Sequence, residues 1–210
     1  MSHELRSEAN TRISGPWLLL ARVSLLALFV LNLIIYMVGT PVYFAQLYPS
    51  NHACFQECLT PANLQSLHVL GFSITAYAVY WTAVNLLFAL TYFAVAALIF
   101  WRKSDDWMAL LASFFLVALG GSFTDIPGVL AAVHPAWRVL VTLLSEDVVG
   151  FPSLVIFFFL FPNGRFVPRW TRWIVIGYAA LFIPGAFFPD TLLNVSKWPG
   201  PLFFPVPLVV

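Results

Sequence analysis

Long apolar runs separated by short polar breaks dominate the chain. Five runs are long enough to be helices. They cover about residues 17–39, 74–101, 107–126, 137–161 and 173–188, and the third could continue to Val133. A spanning helix needs about 20 mostly apolar residues. The pattern therefore predicts an all-α integral membrane bundle of about five transmembrane helices. Residues 1–15 read as a polar tail, 16–190 as the bundle, 40–73 as its long first outer loop, and 191–210 as an outer segment or the start of a truncated sixth helix. The first apolar run is too long for the 7–15-residue core of a signal peptide and reads as an uncleaved anchor.

Composition supports lipid as the solvent. The 210 residues are 61% hydrophobic and 9% charged, against roughly 25% charged in soluble domains. A net charge of +1 with no basic run argues against nucleic acid as a partner.

Lys and Arg set the expected orientation. Arg6, Arg12, Arg22, Arg102, Lys103, Arg165, Arg169 and Arg172 fall on one side of a five-span chain, whereas Arg138 and Lys197 fall on the other. That bias predicts a cytoplasmic N-terminus in a bacterial cytoplasmic membrane. Trp17, Trp101, Trp107, Trp137, Trp170 and Trp173 lie near predicted helix ends, where aromatic rings favour the headgroup level.

Glu146 and Asp147 are the most unusual residues. They lie about 12 Å into the fourth helix at 1.5 Å per residue, where a charge costs about 2.5–3.5 kcal/mol on insertion scales. Thr142, Glu146, Gly150 and Ser153 share a face if that helix is continuous. Ser113, Gly120, Gly121 and Thr124 offer a small, polar face on helix three. Asn85 on helix two is expected at a depth similar to Glu146. The candidate intramembrane polar site is therefore Glu146, Asp147, Asn85 and Thr142. It reads either as a proton-responsive or polar-ligand site, or as a hydrogen-bonded structural carboxyl or a water-filled outer vestibule. Asp125, before Pro127 and Gly128, reads as part of a turn ending helix three.

In the outer loop, Thr60-Pro61 reads as a helix start and Leu64 to Leu70 as a short amphipathic stretch. Cys54 and Cys58 are a candidate local disulfide on the oxidising side. With His52 and His68 they form a loose donor set that lacks zinc spacing, so no metal is assigned. The predicted spans hold no histidine pair to ligate a haem, and no cofactor is expected. Ser2-His3-Glu4-Leu5-Arg6 mimics the start of a phosphoacceptor box, without room for the helical hairpin such a box needs. Asn194-Val195-Ser196 is a glycosylation sequon of little weight.

Phe161-Pro162-Asn163-Gly164-Arg165-Phe166-Val167-Pro168-Arg169-Trp170-Thr171-Arg172-Trp173 is the most distinctive stretch. It reads as a tight cytoplasmic turn at Asn163-Gly164 followed by a basic–aromatic anchor of Arg165, Arg169, Trp170, Arg172 and Trp173. The stretch resembles a segment of the multi-pass N-terminal membrane regions of sensor histidine kinases from Chloroflexota and Actinomycetota. Val95 to Asp106 and Leu59 to Ala62 are similar to other parts of those regions. The resemblance implies a sensor-like input module for signal transduction, acting on a cytoplasmic kinase or through a second copy of itself. The chain has no ATP-binding glycine box, so it is expected to be non-enzymatic. The competing expectation is a small proton-coupled transporter or channel subunit that uses the intramembrane carboxylates.

Overall fold

The computed structural model describes residues 15–48, 65–67, 69, 71–161, 168, 170–188, 190–194 and 197, with Glu146 and Asp147 described by their backbone alone. These residues are overwhelmingly helical, and no strand occurs among them. The helices are α1 (Pro16–Gln46), α2 (Ile74–Lys103), α3 (Trp107–Ser122), α4 (Asp125–Val133), α5 (Arg138–Leu143), α6 (Phe151–Leu160) and α7 (Thr171–Phe187). A 3₁₀ turn (Pro135–Trp137) precedes α5, and a π turn (Glu146–Gly150) precedes α6.

Three segments are long and apolar enough to cross a membrane: Pro16–Gln46, Ile74–Lys103 and Pro135–Leu160. The pair α3 and α4, bent by 57° at a short break, makes a fourth if it acts as one span. At 17 residues, α7 falls short of the roughly 20 that a perpendicular span needs. The described residues thus hold three spanning segments, or four if the bent pair is one span, with α7 as a shorter apolar helix beside them.

Local chemistry explains the boundaries. Ser73 caps α2 by accepting from the Ala76 amide at 3.1 Å, and Asp106 caps α3 by accepting from Met108 at 2.9 Å. Arg22 closes the other end of α2. Its Nε donates to the Ser104 carbonyl at 3.1 Å and its Nη2 to the Ser104 hydroxyl at 2.7 Å. A cation at that point also complements the helix dipole.

Proline separates the expected boundaries from the observed ones. A proline ring inside a helix crowds the carbonyl four residues back. Pro127 would crowd Phe123, and α3 stops at Ser122 with Phe123 as its C-cap. Pro127 then lies in the first turn of α4, where its missing N–H costs nothing. The segment 124–128 therefore opens a second helix and is not the turn expected to end helix three. Pro152 stands four residues after Val148, and there the chain widens into the π turn. Three amides, those of Val148, Val149 and Gly150, converge on the Ser145 carbonyl at 3.0–3.3 Å. The fourth apolar run is thus segmented, and the i, i+4 register from Thr142 onward is interrupted. Pro41 has the opposite outcome: α1 passes through it to Gln46, past the expected end at Gly39.

Adjacent long helices run antiparallel. Along α1 and α2, Arg22 meets Ser104, Phe29 meets Phe93, Tyr43 meets Asn85 and Tyr48 meets Thr75. The α2–α3 pair has the most extensive contact, followed by α1 with α4. Phe115 stacks on Phe157 at 5.1 Å, and Phe123 packs edge-on against Phe151 at 5.3 Å, so α6 runs antiparallel to α3. Arg22, Arg102, Lys103 and the start of α7 consequently share one end of the bundle.

Glycines set the closest approaches. A Cβ on Gly39 would lie 2.7 Å from Ile126 Cγ2, and one on Gly120 would lie 2.8 Å from Tyr92 Cβ. A Cβ on Gly121 would collide with the Asn32 amide. Small residues that let backbones approach are the usual glue of membrane helices.

The surface is inverted relative to a water-soluble bundle. Leu20, Val30, Met37, Val79, Leu87 and Leu98 are exposed, whereas Asn32, Thr82, Asn85 and Ser113 are buried. Lipid suits such a surface and water does not. On α2, Trp81 and Trp101 lie 20 positions apart, about 30 Å at the helical rise, which matches a hydrocarbon core. Tyr77 and Tyr80 pack edge-on to Trp81, and Trp17, Trp101, Trp170 and Trp173 are exposed at the basic end.

Candidate functional site

The two helix breaks face each other. Between them lies a cleft of about 310 Å³, bounded by Asn32 and Ile35 on α1, by Gly121 to Asp125, Pro127 and Gly128 around the α3–α4 break, and by Val141, Leu144 and Ser145 before the π turn. Asn32 is ten residues past Arg22, so the cleft lies about 15 Å inward from the basic end. Broken helices at membrane depth are tolerated where they are buried in protein or line a polar cavity.

A hydrogen-bonded frame holds the break. The Tyr36 hydroxyl donates to the Gly120 carbonyl at 2.7 Å and also bonds Thr124 Oγ1. Thr124 stands at the N-cap of α4, but its hydroxyl makes no cap bond there because it is engaged with Tyr36. The first amide of α4 is served instead by Asn85, whose Oδ1 accepts from Asp125 N at 3.1 Å. Asn85 Nδ2 in turn donates to the Trp81 carbonyl at 3.1 Å and to Tyr43 at 3.3 Å. Residues from α1, α2 and α3 thus fix where α4 begins.

Asn32 is 2% exposed, and its Nδ2 donates to the Leu28 carbonyl at 2.9 Å. Ser122 donates to Ala118 at 2.6 Å. Ser145 lines the cleft, and its hydroxyl is buried without a hydrogen-bond partner. Of the described carboxylates, Asp125 alone lines the cleft. One helical turn toward the basic end from Asn32 and Gly121, Leu28 and Val117 are buried core residues.

Four residues were expected at the polar site, and the structure places them unequally. Asn85 is buried at the break, where it serves Asp125 and Tyr43. Thr142 is half-buried on α5 and does not line the cleft. Glu146 and Asp147 lie in the π turn directly after Ser145, and their side chains lie outside the description. Trp170, Arg172 and Trp173 are exposed at the start of α7, with the Arg172 guanidinium 5.2 Å above the Trp173 ring. Asn163, Gly164, Arg165 and Arg169 lie outside the described residues. So do Cys54 and Cys58, His52 and His68, Thr60-Pro61, Arg6 and Arg12, the sequon residues Val195 and Ser196, and residues 201–210.

Sequence reasoning passed over Asn32, Tyr36, Ser122 and Ser145. A signal for two of them existed. Asn32 and Tyr36 are the only strongly polar side chains between Ser24 and Thr40 on α1, spaced i, i+4 on one face. In a span such a pair needs a partner helix.

No protein-family model, curated protein or solved structure matches the chain.

Proposed function

We propose that the chain is a non-enzymatic, sensor-like module of the bacterial cytoplasmic membrane, with five spans and its N-terminus inside. A small polar ligand enters the cleft between the helix breaks. Its binding shifts α4 and the π turn, and the shift reaches the basic–aromatic end, where a cytoplasmic kinase or a second copy of the chain reads it.

One observation carries this reading. The cleft is lined by polar groups at Asn32, Thr124 and Asp125, and one helical turn from Asn32 and Gly121 toward the basic end Leu28 and Val117 are buried in the apolar core. A polar site backed by apolar core suits detection better than conduction. Two interrupted helices around it supply the kind of element whose arrangement a ligand can bias. The eight-to-two charge bias supports the orientation. A fifth span is supported by α7, which is apolar and packs on α6 and the π turn. The resemblance of the 161–173 segment to sensor-kinase membrane regions favours a kinase as the reader.

The helix breaks also favour a second reading, a small transporter or channel subunit, because discontinuous helices build ion and substrate sites in secondary transporters.

Spin labels separate the two. In a Cys54→Ala, Cys58→Ala background in nanodiscs, nitroxides at Lys103→Cys and Arg172→Cys span the basic end. The sensor reading expects Asp125→Asn to redistribute their distances. Unchanged distances, together with Asp125-dependent ion uptake into proteoliposomes, would replace it with the transporter.

A further inference from the structure

Most side-chain hydrogen-bond donors around the cleft are turned away from it. Asn32 faces the Leu28 carbonyl with its side chain. A carbonyl only accepts, so the atom there is the amide nitrogen and the oxygen lies on the Gly121 side. Ser122 spends its proton on Ala118. Tyr36 has one phenolic proton, and the Gly120 carbonyl takes it. In the Tyr36–Thr124 pair the threonine is therefore the donor. The Asp125 amide is held by Asn85.

What remains toward the cleft is a set of acceptors. Asn32 Oδ1 accepts no hydrogen bond among the described residues, although Asn32 is almost wholly buried. Ser122 and Thr124 keep their oxygen lone pairs free, and the Asp125 carboxylate accepts nothing from a described residue. The break adds backbone oxygens, because past the end of α3 the Gly121 and Ser122 carbonyls have no i+4 amide to receive. The Ser145 hydroxyl can turn either way.

The geometry points to a binding site for a small alkali cation in this cleft, with Asn32, Ser122, Thr124 and Asp125 as its oxygen donors. This inference rests on the cleft being the ligand site of the proposed function. An anion would find few donors, with the Ser145 hydroxyl as the one unpartnered side-chain donor among the described lining residues. A neutral polar ligand carries acceptors of its own, which this wall would leave unpaired at a cost. Hard cations take carboxylate, hydroxyl and carbonyl oxygens. Among the described side chains Asp125 is the one carboxylate that lines the cleft, and it balances one positive charge. Half-helix C-terminal ends with open carbonyls suit such ions.

The test uses the full chain in nanodiscs at fixed ionic strength, with choline chloride replaced stepwise by NaCl, LiCl, KCl or methylammonium chloride. The midpoint of thermal unfolding, read by tryptophan fluorescence, is expected to rise saturably with Na⁺ and not with choline. ²³Na NMR of the wild type should show line broadening that Li⁺ displaces. Asp125→Asn should weaken the sodium response at least tenfold, and Gly177→Ala, remote from the cleft, should leave it unchanged. Absence of Li⁺-displaceable broadening in the wild type would overturn the inference. So would a response to methylammonium alone, or broadening that Asp125→Asn retains. The spin-label experiment keeps the two claims apart. Sodium binding without a distance change removes the sensor reading and leaves the site standing. A distance change without sodium binding does the reverse.

Discussion

Asn85 on α2 holds the first amide of α4, its side-chain oxygen accepting from Asp125 N at 3.1 Å. A helix start is thereby capped by a residue 40 positions away, and the 57° bend is pinned to the body of the bundle. Asn85→Leu leaves that buried amide without a partner, which costs about 1–3 kcal/mol. Reversible unfolding in mixed micelles should show this loss. Hydrogen exchange at Asp125 should accelerate by at least tenfold, with little change at Leu110 in the middle of the core. Unaltered exchange at Asp125 would mean that the cap is not made.

Gly39 and Gly177 make a matched pair. A methyl group on Gly39 runs into Ile126, whereas one on Gly177 meets nothing within 4 Å. Gly39→Ala should destabilise by about 1–3 kcal/mol through overpacking. Gly177→Ala should be neutral or stabilise by up to about 1 kcal/mol, because alanine is the better helix former. The same unfolding assay checks both, and equal effects would contradict the α1–α4 contact.

Arg22 and Ser104 are predicted to couple. The guanidinium binds both the carbonyl and the hydroxyl of Ser104. Arg22→Gln should cost about 1 kcal/mol through loss of the α2 end cap. Ser104→Ala should cost less, because the carbonyl bond survives. A double-mutant cycle with a coupling energy near zero would separate the two residues.

The proposed orientation has its own test. A single cysteine at Lys103 should be protected from a membrane-impermeant maleimide in intact spheroplasts, whereas one at Tyr48 should react. The reverse pattern would invert the topology.

Much of the scaffold was legible in the sequence because charge depletion and run length report the solvent directly. The second helix was placed at 74–101 and observed at Ile74–Lys103, since Ser73 and the Arg102-Lys103 pair mark its ends chemically. Helix breaks were not legible. The apolar runs resume on both sides of Ser122 to Asp125 and of Ser145 to Asp147, so each reads as one span with polar residues in it, and a proline in a span carries no fixed consequence. Pro127 and Pro152 coincide with breaks, whereas Pro41 is absorbed within α1. The polar site was half legible. Asn85 was singled out for its depth, but its partners depend on a bend that periodicity does not encode. Asn32 escaped because one asparagine among leucines resembles noise until Gly121 is seen against it.

The central claim is that lipid covers the apolar faces and that a polar cleft opens inside them. Nitroxide accessibility tests it most directly, comparing Leu87→Cys and Leu98→Cys with Ser122→Cys in nanodiscs. Both leucine positions should be relaxed strongly by oxygen and weakly by a water-soluble nickel chelate, whereas Ser122 should show the opposite ratio. Nickel access at Leu87, or a Ser122 ratio equal to that of Leu87, would contradict the account.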